Sequence, residues 1–348
     1  MAFDIANVIP DFGDAQAEAR AAREEAALFD FSFIARGRVT GPAAAALLER
    51  FQPRPVADMA PGRIRYALRL GTDGAVEADL TIWRIGEDAF EAMSGRPEDI
   101  AALGRLAGDG AEVEDLSRAS AIFAVQGPAA LRALSPLGPE VAGEPLARER
   151  LAAIPYFGHA QMPIAGIPCR IGRLGYTGEK GFEIVADKTD AARLWAALQA
   201  RARPAGFAAA DILRIEAGFI LFANECRLGA DAAALGLERF VPNPAGGARL
   251  RLVAFTAEPT PIRSPWRPEE IGPPAKGEIA VTSACASVAL GGQTIGLGFV
   301  RAEDATPGAR VRDRARRFGL VRVAARPLYD PTQQRARGPW PRHNASPH

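Results

Sequence analysis

The chain has 348 residues, 48% of them hydrophobic and 24% charged, enough to bury the cores of two or three domains. Lysine and arginine number 42 against 41 acidic residues, and this formal net charge of +1 supports neither nucleic-acid nor membrane-surface binding. Cys169, Cys226 and Cys285 have neither disulfide-framework nor zinc-ribbon spacing, and of the three histidines only His159 lies outside the tail that carries His343 and His348, too few for a His-ligated metal or a Ser/His/Asp triad.

Residues 1–14 contain Asp4, Asp11 and Asp14 and lack a basic stretch followed by an apolar run, so no secretory leader is expected, and no segment approaches the ~20 apolar residues of a membrane span. A reducing cytoplasm is the expected compartment. Residues 14–29 (DAQAEARAAREEAALF) have no Pro or Gly and predict an amphipathic helix. Residues 31–51 (FSFIARGRVTGPAAAALLERF) predict a strand, a corner at Gly41 and a helix started by Pro42. The same unit returns at 122–134 (IFAVQGPAALRAL), with Val125, Gly127 and Pro128 in register with Val39, Gly41 and Pro42. The repetition predicts two related α+β halves packed together.

Between these corners, 63–70, 76–85 and 90–93 read as antiparallel strands joined by Gly/Asp turns. A further hairpin runs from 167–174 through the Gly-rich turn 176–181 into 182–185, followed by a helix at 190–201, with Asp190 as the expected cap, and by a second helical segment at 208–222 that becomes extended near its end. The Pro-rich zone 242–274 surrounds one strand at 250–256, and short strands at 279–282, 288–290, 295–300 and 319–324 predict a C-terminal β-barrel or sandwich. The tail from residue 333 has no apolar period and is expected to be loose.

Four separated stretches, 38–48 (RVTGPAAAALL), 125–130 (VQGPAA), 172–184 (GRLGYTGEKGFEI) and 211–222 (DILRIEAGFILF), resemble the glycine-cleavage T-protein (aminomethyltransferase) superfamily in order and spacing. The strings 281–283 (VTS), 295–300 (IGLGFV) and 328–331 (LYDP) resemble its barrel domain, so the resemblance covers nearly the whole chain. It implies an α+β fold of two interleaved, ferredoxin-like antiparallel-sheet subdomains over 1–245, a β-barrel over 246–332 and a loose tail over 333–348, arranged as a three-lobed ring. It also implies tetrahydrofolate as cofactor and one-carbon transfer as activity.

For a reduced pterin, which presents an N–H and an exocyclic amine side by side, an ionised carboxylate in an apolar pocket is a suitable bidentate acceptor. Glu183 lies between Phe182 and Ile184, so on a strand its side chain faces away from them; by itself it reads more readily as a solvent-facing residue, and the resemblance implies the pterin contact. Tyr176 stands where the family has its turn tyrosine, and Tyr66 matches another family tyrosine, although a plain core aromatic fits it as well. Arg173 and Arg214 occupy family positions that would meet the folate's glutamate carboxylates or the substrate, with a structural salt bridge as the alternative. Asp79, in GAVEADLTI, falls on the second carboxylate of the family's Asp-Asp-Leu motif, with Ala78 at the first, and is the implied catalytic group, with an Asp on a solvated strand face as the alternative.

Ser32-Phe33 stands where glycine-cleavage members carry Ser-His, and Ala210-Asp211 where they carry Arg-Asp. EADLT and Met93 to Gly95 (MSG) are more similar to the folate domains of sarcosine and dimethylglycine dehydrogenases. The expected reaction is therefore methyl or methylene transfer from a small methylated substrate, or from a partner flavin oxidase subunit, to tetrahydrofolate. Alternatives are glycine-cleavage aminomethyltransfer and a folate-binding accessory role in iron–sulfur cluster assembly. The accessory group resembles KGCYxGQE around its cysteine, whereas Cys226 here lies in NECRL.

Overall fold

The computed structural model describes residues 8–139, 146–242 and 247–340. His343, His348, part of the expected leaderless N-terminus and the expected boundary at 245/246 lie outside them. Sixteen strands are seen among these residues: β1 (Ala27–Asp30), β2 (Ala35–Thr40), β3 (Ile64–Leu70), β4 (Val76–Gly86), β5 (Ala89–Ser94), β6 (Glu112–Asp115), β7 (Ser120–Gln126), β8 (His159–Ile164), β9 (Ile167–Gly172), β10 (Gly181–Asp187), β11 (Arg203–Ala205), β12 (Leu250–Ala257), β13 (Glu278–Ala286), β14 (Thr294–Arg301), β15 (Arg310–Asp313) and β16 (Leu320–Ala324). They form a five-stranded sheet in the order β3-β4-β5-β2-β6, a six-stranded sheet in the order β11-β1-β7-β10-β9-β8, and a closed barrel β12-β14-β13-β15-β16. The chain places β1 in the larger sheet, builds the smaller one, then returns for β7 to β11, so the two α+β units are interleaved.

The repeated corner has one geometry in both units. Gly41 and Gly127 have φ of 108° and 138°. The amide of Ala44 donates to Gly41 O at 2.9 Å, as Ala130 N does to Gly127 O at 3.0 Å. A Cβ on Gly127 would stand 2.3 Å from Glu25 O and 2.7 Å from Ala22 O. Gly127→Ala is therefore expected to cost at least ~2 kcal/mol from backbone strain and steric conflict. Gly74→Ala, at φ 80° but with nothing within 4 Å, should lose only the strain; urea unfolding midpoints compare the two.

Period-two alternation aims the faces. On β4, Leu80 and Ile82 pack with Leu47, Leu48 and Phe51 of the helix Ala44–Phe51. On β10, Phe182 and Ile184 pack with Leu131, Leu134 and Leu194 beneath their own helices. Asp79 and Glu183 consequently point the other way. There a central core joins both sheets, the helix Phe207–Glu216 and barrel residues such as Leu297 and Phe299.

Some sequence expectations are corrected. The first helix covers only Ala15–Glu24, because Ala27 to Asp30 are drawn into β1 by pairing with β7. Residues 288–290 form a turn, and β15 (RVRD) is a strand without an apolar signature, because charged residues fill its outward positions. Asp190 makes no cap hydrogen bond; Asp187 accepts one from Thr189 N at 2.8 Å instead. The tail is anchored over 333–340: Lys180 Nζ donates to Arg335 O at 2.7 Å, and Trp340 stacks on Phe182 at 5.1 Å. Its remainder lies outside the described residues.

Candidate active site

A cavity of about 770 Å³ opens between the two sheets, the 217–222 loop and the segment after the barrel. Asp79, Tyr66, Tyr176 and Glu183 all line it, so four sequence-predicted residues from β3, β4, β10 and the loop before β10 meet in one place.

Glu183 is 8% exposed and, among the described residues, its carboxylate has neither a hydrogen bond nor an ion pair. Desolvation by burial pushes its carboxyl up to about 7. The solvent-facing reading of this residue is thus set aside. Asp79 retains some exposure because it opens on the cavity, yet burial still dominates and pushes it up to about 6, against the opposing hydrogen bond from the Tyr66 hydroxyl. Burial raises the Tyr66 phenol well above its ordinary value, and the neighbouring Asp79 adds to this. Tyr66 also packs edge-on against Phe240 at 4.8 Å. Tyr176 is fixed at both ends: its hydroxyl donates to Ile220 O at 2.5 Å, and its ring stacks on Phe219 at 6.1 Å.

The glycines of GYTGEKGFE have a mechanical cause. A Cβ on Gly175 would come within 1.9 Å of Gln126 Oε1, and one on Gly181 within 2.5 Å of Gln126 Nε2. Gln126 in turn donates to Leu174 O at 3.1 Å and accepts from Thr177 Oγ1 at 3.0 Å, which clamps the loop that carries Tyr176. Glu179 faces the C-terminal segment, meeting Arg23 at 3.0 Å, the Tyr329 hydroxyl at 2.6 Å and Arg335 at 3.2 Å.

The two predicted arginines are placed elsewhere. Arg214 is completely buried outside the cavity lining, paired with Asp211 at 2.8 Å and Glu225 at 3.0 Å and donating to Ser283 Oγ at 2.6 Å. Burial disfavours its charge, but Glu225 and Asp211 outweigh that and raise its pKa. Arg173 also lies outside the lining, donating to Gly338 O at 2.6 Å and sitting over the Trp340 ring at 5.2 Å. Both positions are occupied by structural partners, which sequence spacing does not reveal. His159 is structural as well, bonded through Nε2 to Arg84 O at 2.9 Å and stacked on Trp83 at 5.4 Å.

The cations that do line the cavity are Arg54, Arg65, Arg239, Arg326 and Arg337, none of them singled out from sequence. Arg326 is the most informative: its Nη2 donates to Leu235 O, while its buried Nη1 has no acceptor among the described residues. It precedes LYDP by two residues, and that proximity was the only sequence clue.

Comparison with known proteins agrees with this architecture. The family model for the GCVT N-terminal domain matches residues 5–243. An aminomethyltransferase of Streptomyces avermitilis is 32% identical over 324 residues, covering 85% of this chain and 84% of that protein. One from Moorella thermoacetica is 33% identical over 339 residues, covering 88% and 87%. The crystal structure of glycine cleavage system aminomethyltransferase T from Bartonella henselae superposes with a TM-score of 0.76 at 24% identity, covering 91% of this chain and 90% of that one, and shares the fold. With its paired α+β units, closed barrel and buried two-carboxylate cavity, the chain belongs to the GCVT family of aminomethyltransferases, enzymes that transfer one-carbon groups.

Proposed function

We propose that this protein transfers a methyl or methylene unit to tetrahydrofolate held in the cavity, within three lobes, two α+β units and the barrel, arranged as a ring. The observation that carries the reading is the carboxylate pair: Glu183 unpaired and Asp79 beside Tyr66, both facing one aromatic-walled cavity. Burying an unpaired Glu183 as its anion costs on the order of 3 kcal/mol, at ~1.4 kcal/mol per pKa unit, unless donors arrive. The two adjacent donors of a reduced pterin meet that need. Tyr176, backed by Phe219, covers one flat face of the ligand, and Arg326 takes a glutamate carboxylate in the role first expected of Arg173 and Arg214. Bound folate supplies the amine nitrogens that receive the one-carbon unit. Asp79 accepts the proton released there and stabilises developing positive charge, while Tyr66 holds its carboxylate in orientation.

The names of the relatives favour an aminomethyl donor of the glycine-cleavage kind. A second reading, an N-methyl amine donor or methylene delivered by a flavin oxidase subunit, is favoured by Phe33, which lines the cavity where glycine-cleavage members carry histidine, and by the EADLT and MSG strings. Turnover with a lipoylated carrier, set against turnover with N-methylglycine and an oxidase, separates the two.

Calorimetric titration tests the site. Glu183→Gln should weaken tetrahydrofolate binding by roughly 10- to 100-fold, the value of hydrogen bonds to a charged acceptor. Wild-type affinity should rise as pH passes through about 7 and Glu183 ionises, whereas the variant should show no such rise. Stability has the opposite sign. A raised carboxyl pKa contributes stability that is full below its unfolded value, near 4.5, and is lost as pH climbs through about 7, so the ligand-free Gln variant should be the more stable protein at pH 8. Equal folate affinity in both proteins would remove the proposed pterin contact.

A further inference from the structure

A second site lies at the seam between the two sheets, and none of its residues lines the cavity. Glu91 on β5 is completely buried there and is taken by Arg36 of β2 through two hydrogen bonds, at 3.0 and 2.5 Å. Arg38 of β2 and Arg170 of β9 approach the same carboxylate, each at 3.6 Å, beyond hydrogen-bonding distance. Arg170 makes no side-chain hydrogen bond among the described residues, and the buried Nε atoms of Arg38 and Arg170 both lack an acceptor. Among the described residues, the only other ion-pair partner of Arg38 is Glu114, at 3.3 Å, whose side chain is 61% exposed.

Three guanidiniums thus face one buried carboxylate already saturated by Arg36 and one largely exposed carboxylate, Glu114, which leaves one positive charge in excess. Arginine cannot shed its proton to relieve this. Burial foremost, and the positive charges of Arg36 and Arg38, push the Arg170 pKa down, while Glu91 opposes them. Water could accept the orphaned hydrogen bonds but would leave the excess charge uncompensated. An oxyanion answers both, because its negative charge offsets the excess and its oxygens match guanidinium forks. The side chain of Arg38 is 38% exposed, so the seam is reachable from solvent.

We propose that this seam binds a phosphate-type oxyanion between Arg38 and Arg170, which ties the five-stranded sheet to the six-stranded one. The site is independent of the one-carbon reading, since it shares no residue with the cavity.

Thermal unfolding of the full chain at pH 7.5, with chloride exchanged for inorganic phosphate at constant ionic strength, tests it. The midpoint should rise saturably, by roughly 2 °C at tenfold saturation. The rise should vanish in Arg170→Gln and in the more exposed Arg38→Gln, and persist in Arg203→Gln, whose site is exposed and outside the seam. Should Arg170→Gln fail to fold, Arg38→Gln and calorimetric titration of the wild type with phosphate decide the matter. No phosphate-specific rise in the wild type, or an equal rise in the Arg38 or Arg170 variants, would overturn the proposal.

Discussion

Asp79→Asn should lower turnover by 10²- to 10⁴-fold, the usual contribution of a positioned proton acceptor, while tetrahydrofolate binding stays within a few-fold of wild type. The amide keeps the shape and the hydrogen bond with Tyr66 but cannot take a proton. In the wild type, kcat/KM should climb as pH rises through about 6, where Asp79 ionises, and the variant should lack that limb. Tyr66→Phe should move the limb to higher pH, because the lost hydrogen bond is the main influence holding Asp79 down against burial. Unfolding does not confuse the result. The raised Asp79 pKa gives stability that is full below about 3.8 and lost as pH rises through about 6, so at pH 8 the ligand-free Asn variant should be at least as stable as wild type. Stopped-flow or steady-state turnover beside calorimetry checks both halves; a variant that loses binding and turnover together would make Asp79 a binding residue.

Arg214→Ala should cost 3–5 kcal/mol or more of stability, read as a fall in the urea midpoint, because it leaves Asp211 and Glu225 buried without their cation. The damage should reach the cavity. Arg214 Nη1 donates to Phe219 O at 3.2 Å, and Glu225 accepts from Leu221 N at 2.7 Å. The loop that carries Phe219 and Ile220, and that receives the Tyr176 hydroxyl, is therefore held by this ion cluster. Glu225 further accepts from Thr282 and Ser283, each at 2.6 Å, and so links the cavity wall to β13 of the barrel. Folate affinity measured well below the unfolding midpoint should also fall. A variant with wild-type stability would show that the cluster is replaceable by water or rearrangement.

Local order was legible in the chain because short-range sterics and period-two alternation write it there. The corners at Gly41 and Gly127, the meander β3-β4-β5 and the turning of Glu183 away from Phe182 and Ile184 all follow from neighbours a few residues apart, whereas the cavity on that opposite face is made by the packing of the two sheets. The GYTGEKGFE string marks the turn where close backbone approach admits only glycine. These features, with the resemblance they carry, determined the family and the two carboxylates.

Partner choice was not legible, since arginine looks the same in sequence whether its guanidinium faces a buried carboxylate or a cavity. Arg214 and Arg173 are claimed by Glu225, Asp211 and Trp340, from 3 to 167 positions away, while Arg326 is delivered to the cavity by the end of the barrel. Only the tertiary structure decided which cations face the site, that residues 333–340 pack rather than fray, and that three arginines converge on Glu91. The reason is physical: a charge is committed by whichever opposite group burial brings within reach, and that distance is set by the packing of sheets far apart along the chain.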